Sequence, residues 1–160
     1  MKEINTQTSF VVFDSFSELE TEDKALLNKA KEAVANSYAP YSHFHVGAAI
    51  LLENGIVVTG NNQENAAYPS GMCAERIAIW NASSQYPNTI IKKIAITVKS
   101  ENKTVDKPVA PCGACRQTLL EYEVNQKEPI EVFFMGEVGT IVKANSLQDL
   151  LPFSFDESFL

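Results

Sequence analysis

Two short cysteine motifs constrain this chain more than anything else in it. Cys73-Ala74-Glu75-Arg76 and Pro111-Cys112-Gly113-Ala114-Cys115-Arg116 contain all three cysteines, and each stands where a helical pattern begins. Cys112 and Cys115 are three residues apart, so on a first helical turn their sulfurs share one face and can grip one ion. Cys73, at a second helix start, adds a third sulfur from across a βα unit. A helix N-terminus carries about half a positive charge, which favours thiolates over thiols.

The pattern around the motifs indicates what carries them. Leu19, Leu26, Leu27, Ala30 and Val34 recur at helical spacing, which predicts an amphipathic helix to about Ala35. Ser17 and Glu20 suit a capping box at its start, with Thr21 a competing cap. Beyond Pro40, Phe44 to Leu52 reads as a strand, and Asn54-Gly55 as a hairpin turn returning through Ile56-Val57-Val58. Cys73 to Trp80 reads as a helix, Ile90 to Val98 as a strand, and Cys112 to about Glu123 as a helix. Ile130 to Phe134 and Thr140 to Val142 are further strands, and Leu147 to Leu151 is a last helical turn. This order predicts a mixed sheet covered by helices, an α/β layered domain. The Ile94 and Ile130 strands, joined through a helix, should run parallel with a right-handed crossover. No repeat or Gly/Ser linker interrupts the 160 residues, so one domain is expected over 1–160. Residues 1–20 stand apart as an extension whose Phe10–Phe13 patch suits an edge strand or a subunit contact.

Three thiolates around Zn²⁺ leave one tetrahedral position for water, the arrangement of a catalytic site and not of a closed structural one. Glu75, two residues past Cys73, would stand beside that water and carry its proton to a substrate nitrogen. Three thiolates also donate so much charge that something must withdraw it; the helix dipoles, Arg76 and Arg116 are placed to do so. Taken singly, a buried cysteine is ordinarily a small hydrophobe, a first-turn glutamate offsets a dipole, and a CxxC also serves as a redox pair. Only the conjunction points to chemistry. It matches, with Cys in place of His at the first position, the signature of zinc nucleobase deaminases.

The net charge of −7 argues against a surface built for nucleic acid or anionic lipid. No apolar run approaches the roughly 18–20 residues of a membrane span, and the apolar stretch near the N-terminus is too short for a secretory signal. With an odd number of cysteines, reduced thiols or metal ligands in the cytoplasm are expected.

From Tyr38 to about Leu160 the chain resembles the cytidine deaminases of the small, all-cysteine, homotetrameric type. Beyond the cysteine motifs, the likeness rests on Tyr38-Ala39-Pro40-Tyr41-Ser42 with Phe44, on Val46-Gly47-Ala48-Ala49, on Asn62-Gln63-Glu64-Asn65-Ala66-Ala67-Tyr68, and on Leu150-Leu151-Pro152 followed by Phe155. The resemblance implies a three-layer α/β/α mixed sheet with helices on both faces. It implies zinc held by Cys73, Cys112 and Cys115, with Glu75 shuttling protons and Arg76 hydrogen-bonding the thiolates. It further implies that Phe44 stacks on the pyrimidine, that Asn62 and Glu64 bind the ribose hydroxyls, and that Ala74 contacts the base through its main chain. Phe155 would enter the active site of a neighbouring subunit. The implied reaction is hydrolytic deamination of cytidine and 2′-deoxycytidine, in pyrimidine salvage, with release of ammonia. Two departures stand out: the first 20 or so residues have no counterpart in the minimal pattern, and Asn61 stands where members often carry cysteine.

Two other readings compete. In a non-catalytic zinc-stabilised binding domain, His43 or His45, the only histidines, would close a site of three cysteines and one histidine. In a related deaminase the substrate would be another cytosine compound, such as a blasticidin-like antibiotic, and the ribose-loop residues would carry the distinction.

Overall fold

The computed structural model describes residues 1–160. Its strands are Phe10–Phe13 (β1), Phe44–Leu52 (β2), Val57–Asn61 (β3), Ile91–Ser100 (β4), Glu131–Met135 (β5) and Ile141–Ala144 (β6). Its helices are Thr21–Val34 (α1), Ala74–Gln85 (α2), Gly113–Gln126 (α3) and Leu147–Leu150 (α4). The strands form one sheet in the order β1-β6-β5-β4-β2-β3. Only the β4–β5 pair, linked through α3, is parallel; the other neighbours are antiparallel.

Alternation along the central strands feeds two cores. Ala48, Ile50, Ile94, Ile96, Val132 and Phe134 face α2, α3 and α4, meeting Ala78, Ile79, Leu119, Leu120 and Leu147. Ala49, Leu51, Ala95, Phe133 and Met135 face the other way, onto Leu26, Leu27 and Ala30 of α1. The result is the expected three-layer α/β/α arrangement. Lys93 of β4 fastens α1 to the sheet: its Nζ lies 2.6 Å from Asp23 Oδ1 and 2.8 Å from Glu22 Oε2. Gly47 is required beneath the same helix, because a Cβ there would lie 2.1 Å from the Ala30 carbonyl oxygen.

Some local expectations are corrected. The Ser17–Glu20 capping box does not form, and Thr21 does not cap; Glu20 is the N-cap of α1 and makes no side-chain capping bond. The chain instead runs extended through Leu19, which is 3% exposed and packs in the α1 core. Burying that leucine outweighs one capping hydrogen bond, which is worth ~1 kcal/mol. β3 lies slightly later than Ile56–Val58 and takes in Asn61. α2 continues past Trp80 to Gln85, since Ala82 still reaches the core. The Phe10–Phe13 patch is an edge strand, with Phe10 opposite Ala144 and Phe13 opposite Ile141.

Candidate metal centre and adjoining cavity

Cys73 is the N-cap residue of α2 and Cys112 that of α3, so the two helices start side by side, and Cys115 lies in the first turn of α3. The three Sγ atoms all lie within 4.8 Å of one another; Cys73 and Cys112 are 4.0 Å apart, Cys112 and Cys115 3.5 Å. A tetrahedral ion with sulfurs at ~2.3 Å requires sulfur–sulfur separations of about 3.8 Å, which the two distances bracket. The donor set therefore fits zinc. Gly60 of β3 permits the placement of α2, because a Cβ there would meet Ala74 O and Ala78 N at 2.5 Å.

The charge state of the three sulfurs follows from their contacts. Hydrogen bonding from the Cys115 thiol, and then Arg76, bring the Cys73 thiol down to about 5 against the opposing effect of burial. The Cys115 thiol is driven upward, first by its hydrogen bond to Cys73, then by burial and by Glu75. Of these two sulfurs, Cys73 is the one whose contacts favour the thiolate. Arg76 Nη2 lies 3.6 Å from the Cys73 sulfur, while its Nε is buried without a hydrogen-bond partner.

Arg116 does not share that role. Its Nε donates to the Pro111 carbonyl at 2.8 Å and its Nη1 to the Leu150 carbonyl at 2.9 Å. Arg76 stands three residues after Cys73 and so returns to the face of its sulfur. Arg116, directly after Cys115, projects about 100° around the helix. It ties the loop carrying Cys112 to the C-terminal segment.

A cavity of about 680 Å³ opens beside the cysteines, lined in part by Phe44, Asn62, Glu64, Cys73, Glu75 and Arg76. Glu75 is 5% exposed; burial first, and then the negative Cys73 sulfur, push its carboxyl above the usual carboxylate range. Glu64 is held the other way: Oε2 accepts hydrogen bonds from the Tyr41 and Ser42 amides at 3.0 and 3.2 Å. The Ser42 hydroxyl first, and these amides, keep its carboxyl below the usual range. The Asn62 side chain is largely committed to β2, accepting from Val46 N–H at 2.8 Å and donating to Phe44 O at 2.9 Å. One amide hydrogen and one oxygen lone pair remain free.

Ala74 is fully buried at the first position of α2. Phe155 does not line the cavity of its own chain; it is 57% exposed, stacked on Phe159 at 5.6 Å, and its carbonyl accepts from Gln117 Nε2. Neither histidine joins the sulfur cluster. His43 lies outside β2, with φ +54, and its Nδ1 is 3.0 Å from Glu101 Oε2. His45 Nε2 is 3.0 Å from Glu101 Oε1, and its Nδ1 is 2.6 Å from Ser37 Oγ.

Sequence reasoning missed several walls of the cavity: Met72, Ile96, Val98, Val109 and Ala110. Ile96 and Val98 carried a signal, since they alternate on the strand that lies between the two motifs. Val109 and Ala110 lead directly into Pro111-Cys112. No pattern marks Met72.

Comparison with known proteins agrees with this geometry. The cytidine and deoxycytidylate deaminase zinc-binding region matches residues 20–127. A cytidine deaminase of Halalkalibacterium halodurans is 36% identical over 130 residues, which cover 81% of this chain and 91% of that protein. The crystal structure of a cytidine deaminase from Burkholderia pseudomallei superimposes with a TM-score of 0.71 at 39% identity, covering 82% of this chain and 97% of that one. That of Mycobacterium tuberculosis gives 0.65 at 32%, covering 85% and 98%.

Proposed function

The chain belongs to the cytidine and deoxycytidylate deaminase family, and from that premise we propose that it hydrolyses cytidine and 2′-deoxycytidine to uridine and 2′-deoxyuridine, with release of ammonia. The carrying observation is that Cys73, Cys112 and the buried Glu75 line one cavity that also holds Phe44 and Glu64, with Cys115 completing the sulfur cluster behind it.

Cys73, Cys112 and Cys115 hold the zinc in this reading. When bound, zinc supplies Lewis acidity that brings the pKa of water from about 15.7 toward about 7. Glu75 does the proton work. Its raised affinity for a proton lets the carboxyl take one from water, pass it to N3 of the base, and pass another to the amino nitrogen. The water oxygen first adds to C4, which becomes tetrahedral as N3 takes the first proton. The second proton comes from that same oxygen, and the C4–N bond then breaks as C4=O forms, releasing ammonia. Arg76 draws negative charge from Cys73, which three thiolates would otherwise push onto the metal.

Phe44 stacks on the pyrimidine, a contact worth about 1–3 kcal/mol, and the main chain of Ala74 meets the base edge. Glu64, with one carboxylate oxygen uncommitted, and Asn62, with its remaining amide hydrogen, receive the ribose hydroxyls. An ionised Glu64 beside the sugar repels a 5′-phosphate and so favours nucleosides over nucleotides.

The assembly belongs to the same reading: a homotetramer in which Phe155 enters a neighbour's site. Exposed Phe153, Phe155, Phe159, Tyr68 and Trp80 support it, being too much apolar surface to leave in water. No helix is long and apolar enough to cross a membrane. The free thiols suit a reducing, cytoplasmic compartment and a part in pyrimidine salvage. One sheet, continuous from β1 to β3, supports a single domain over 1–160.

The test is zinc content per chain together with ultraviolet absorbance on cytidine, deoxycytidine, CMP, adenosine and a blasticidin-type substrate in parallel. The reading requires one zinc per chain and turnover of the first two compounds. Turnover of the antibiotic alone would transfer the chain to the related-deaminase reading. Zinc without turnover of any compound would support the binding domain, although both histidines are already engaged by Glu101.

A further inference from the structure

The reaction as read above makes no use of the two histidines. They flank Phe44, and one carboxylate reaches both: Glu101 Oε2 lies 3.0 Å from His43 Nδ1 and Oε1 lies 3.0 Å from His45 Nε2. Glu101 follows the end of β4, whose last residue, Ser100, stands opposite Phe44 in the antiparallel pair. Its backbone N–H also donates to the His43 carbonyl at 3.0 Å.

We propose that Glu101 is a positioning residue, which holds the Phe44 ring against the cavity by bridging the histidines on either side of it.

The backbone explains why a clamp is needed. His43 adopts φ +54, a left-handed conformation uncommon for a residue with a Cβ, and one that persists only where its surroundings enforce it. The Tyr41–His43 turn then feeds directly into β2. Its amides serve the site as well, since those of Tyr41 and Ser42 bind Glu64. On the far side of Phe44, Asn62 fixes the Phe44 carbonyl and the Val46 amide, and Ser42 Oγ accepts from the Phe44 amide. His45 is anchored in turn to Ser37, beyond the end of α1. The Glu101 carboxylate is thus the one side chain that joins the strained residue before Phe44 to the anchored residue after it. Hydrogen bonding from His45 first, and the nearby imidazoles, hold its carboxyl below the usual range, so it remains an acceptor at neutral pH.

The proposal rests on the deaminase reading for its effect on substrate but not for its effect on the loop, and the test separates the two. In the zinc-loaded full chain, Glu101→Ala should raise KM for cytidine about five- to tenfold, because the ring no longer waits in stacking position, while kcat and zinc content stay within about twofold. Glu101→Gln, which keeps an acceptor and a donor on the same stem, should restore KM to within about threefold of the parent. Independently of any substrate, amide hydrogen exchange across residues 41–46 should quicken at least about tenfold in Glu101→Ala and much less in Glu101→Gln. Unchanged exchange in Glu101→Ala would overturn the clamp whatever the enzyme acts on. Quickened exchange with an unchanged KM would overturn its role in positioning Phe44. Failure of the parent chain to turn over cytidine would count against the deaminase reading alone, and exchange would still decide the clamp.

Discussion

Arg76 places Nη2 3.6 Å from the sulfur of Cys73, the only side-chain cation in hydrogen-bonding contact with a metal-site thiolate. The contact is local by construction, since N-cap and third helical residue lie on one face of α2. Three thiolates on one Zn²⁺ make a formally anionic unit, and such a unit is a poor acid for water. A charge-assisted hydrogen bond of about 1.5–3 kcal/mol partly corrects that.

Arg76→Gln should therefore leave zinc bound and lower kcat by roughly 10–100-fold, with KM changing much less. Metal analysis on the same preparation as the kinetics checks it. Loss of kcat that merely tracks loss of zinc would show Arg76 to be a fold or ligand support instead.

Zinc uptake should release protons. Cys73, brought down to about 5, is already ionised at pH 7, whereas Cys115 is driven above the ordinary thiol range and still carries its proton. Protons therefore compete with zinc at Cys115, and affinity must rise with pH. Around pH 7 the logarithm of the zinc association constant should climb by at least about one per pH unit. Competition with a chelator from pH 6 to 8 measures this slope, and a flat line would contradict the thiol assignments.

Gly60→Ala should be costly despite adding a single methyl group. The added carbon would lie 2.5 Å from Ala74 O and Ala78 N, both backbone atoms that no rotamer change can move. The start of α2 must shift, carrying Cys73 and Glu75 with it. A loss of about 1–3 kcal/mol, or roughly 2–12 °C in Tm, is expected together with weakened zinc binding. A thermal melt with zinc titration tests both effects, and an unaltered Tm and zinc affinity would rule the contact out.

Arg116 makes a two-pronged tie that lysine cannot copy. In Arg116→Lys one of the bonds to Pro111 O and Leu150 O is lost. Cleavage in the segment from Phe153 to Leu160 should quicken several-fold under limited proteolysis. Equal cleavage rates would show that the tail is held by other contacts.

What the sequence revealed, and what it did not, follows from the range of the interactions. The grouping of the three sulfurs was legible because its parts are local: Cys112 and Cys115 share a turn, as do Cys73, Glu75 and Arg76. The two cores were legible because Ile94, Ile96 and Val98 alternate and Leu26, Leu27 and Ala30 repeat at helical spacing. Pairing of Phe10–Phe13 with β6 was not, since four apolar residues carry no information about a partner some 130 positions away. The bridge from Glu101 to His43 and His45 was hidden for the same reason, and the histidines offered a metal-ligand role only in the competing binding-domain reading. Asn62 shows a subtler limit. Its presence at the cavity was foreseen, but not that most of its amide is spent on the backbone of β2.

The most direct measurement is turnover of cytidine by Glu75→Ala alongside its zinc content. One zinc per chain with kcat reduced at least about 1,000-fold is the predicted result, in keeping with loss of a proton carrier from an otherwise intact site. Near-parental turnover with zinc in place would contradict it, because the proton transfers would then have no need of the buried carboxyl beside Cys73.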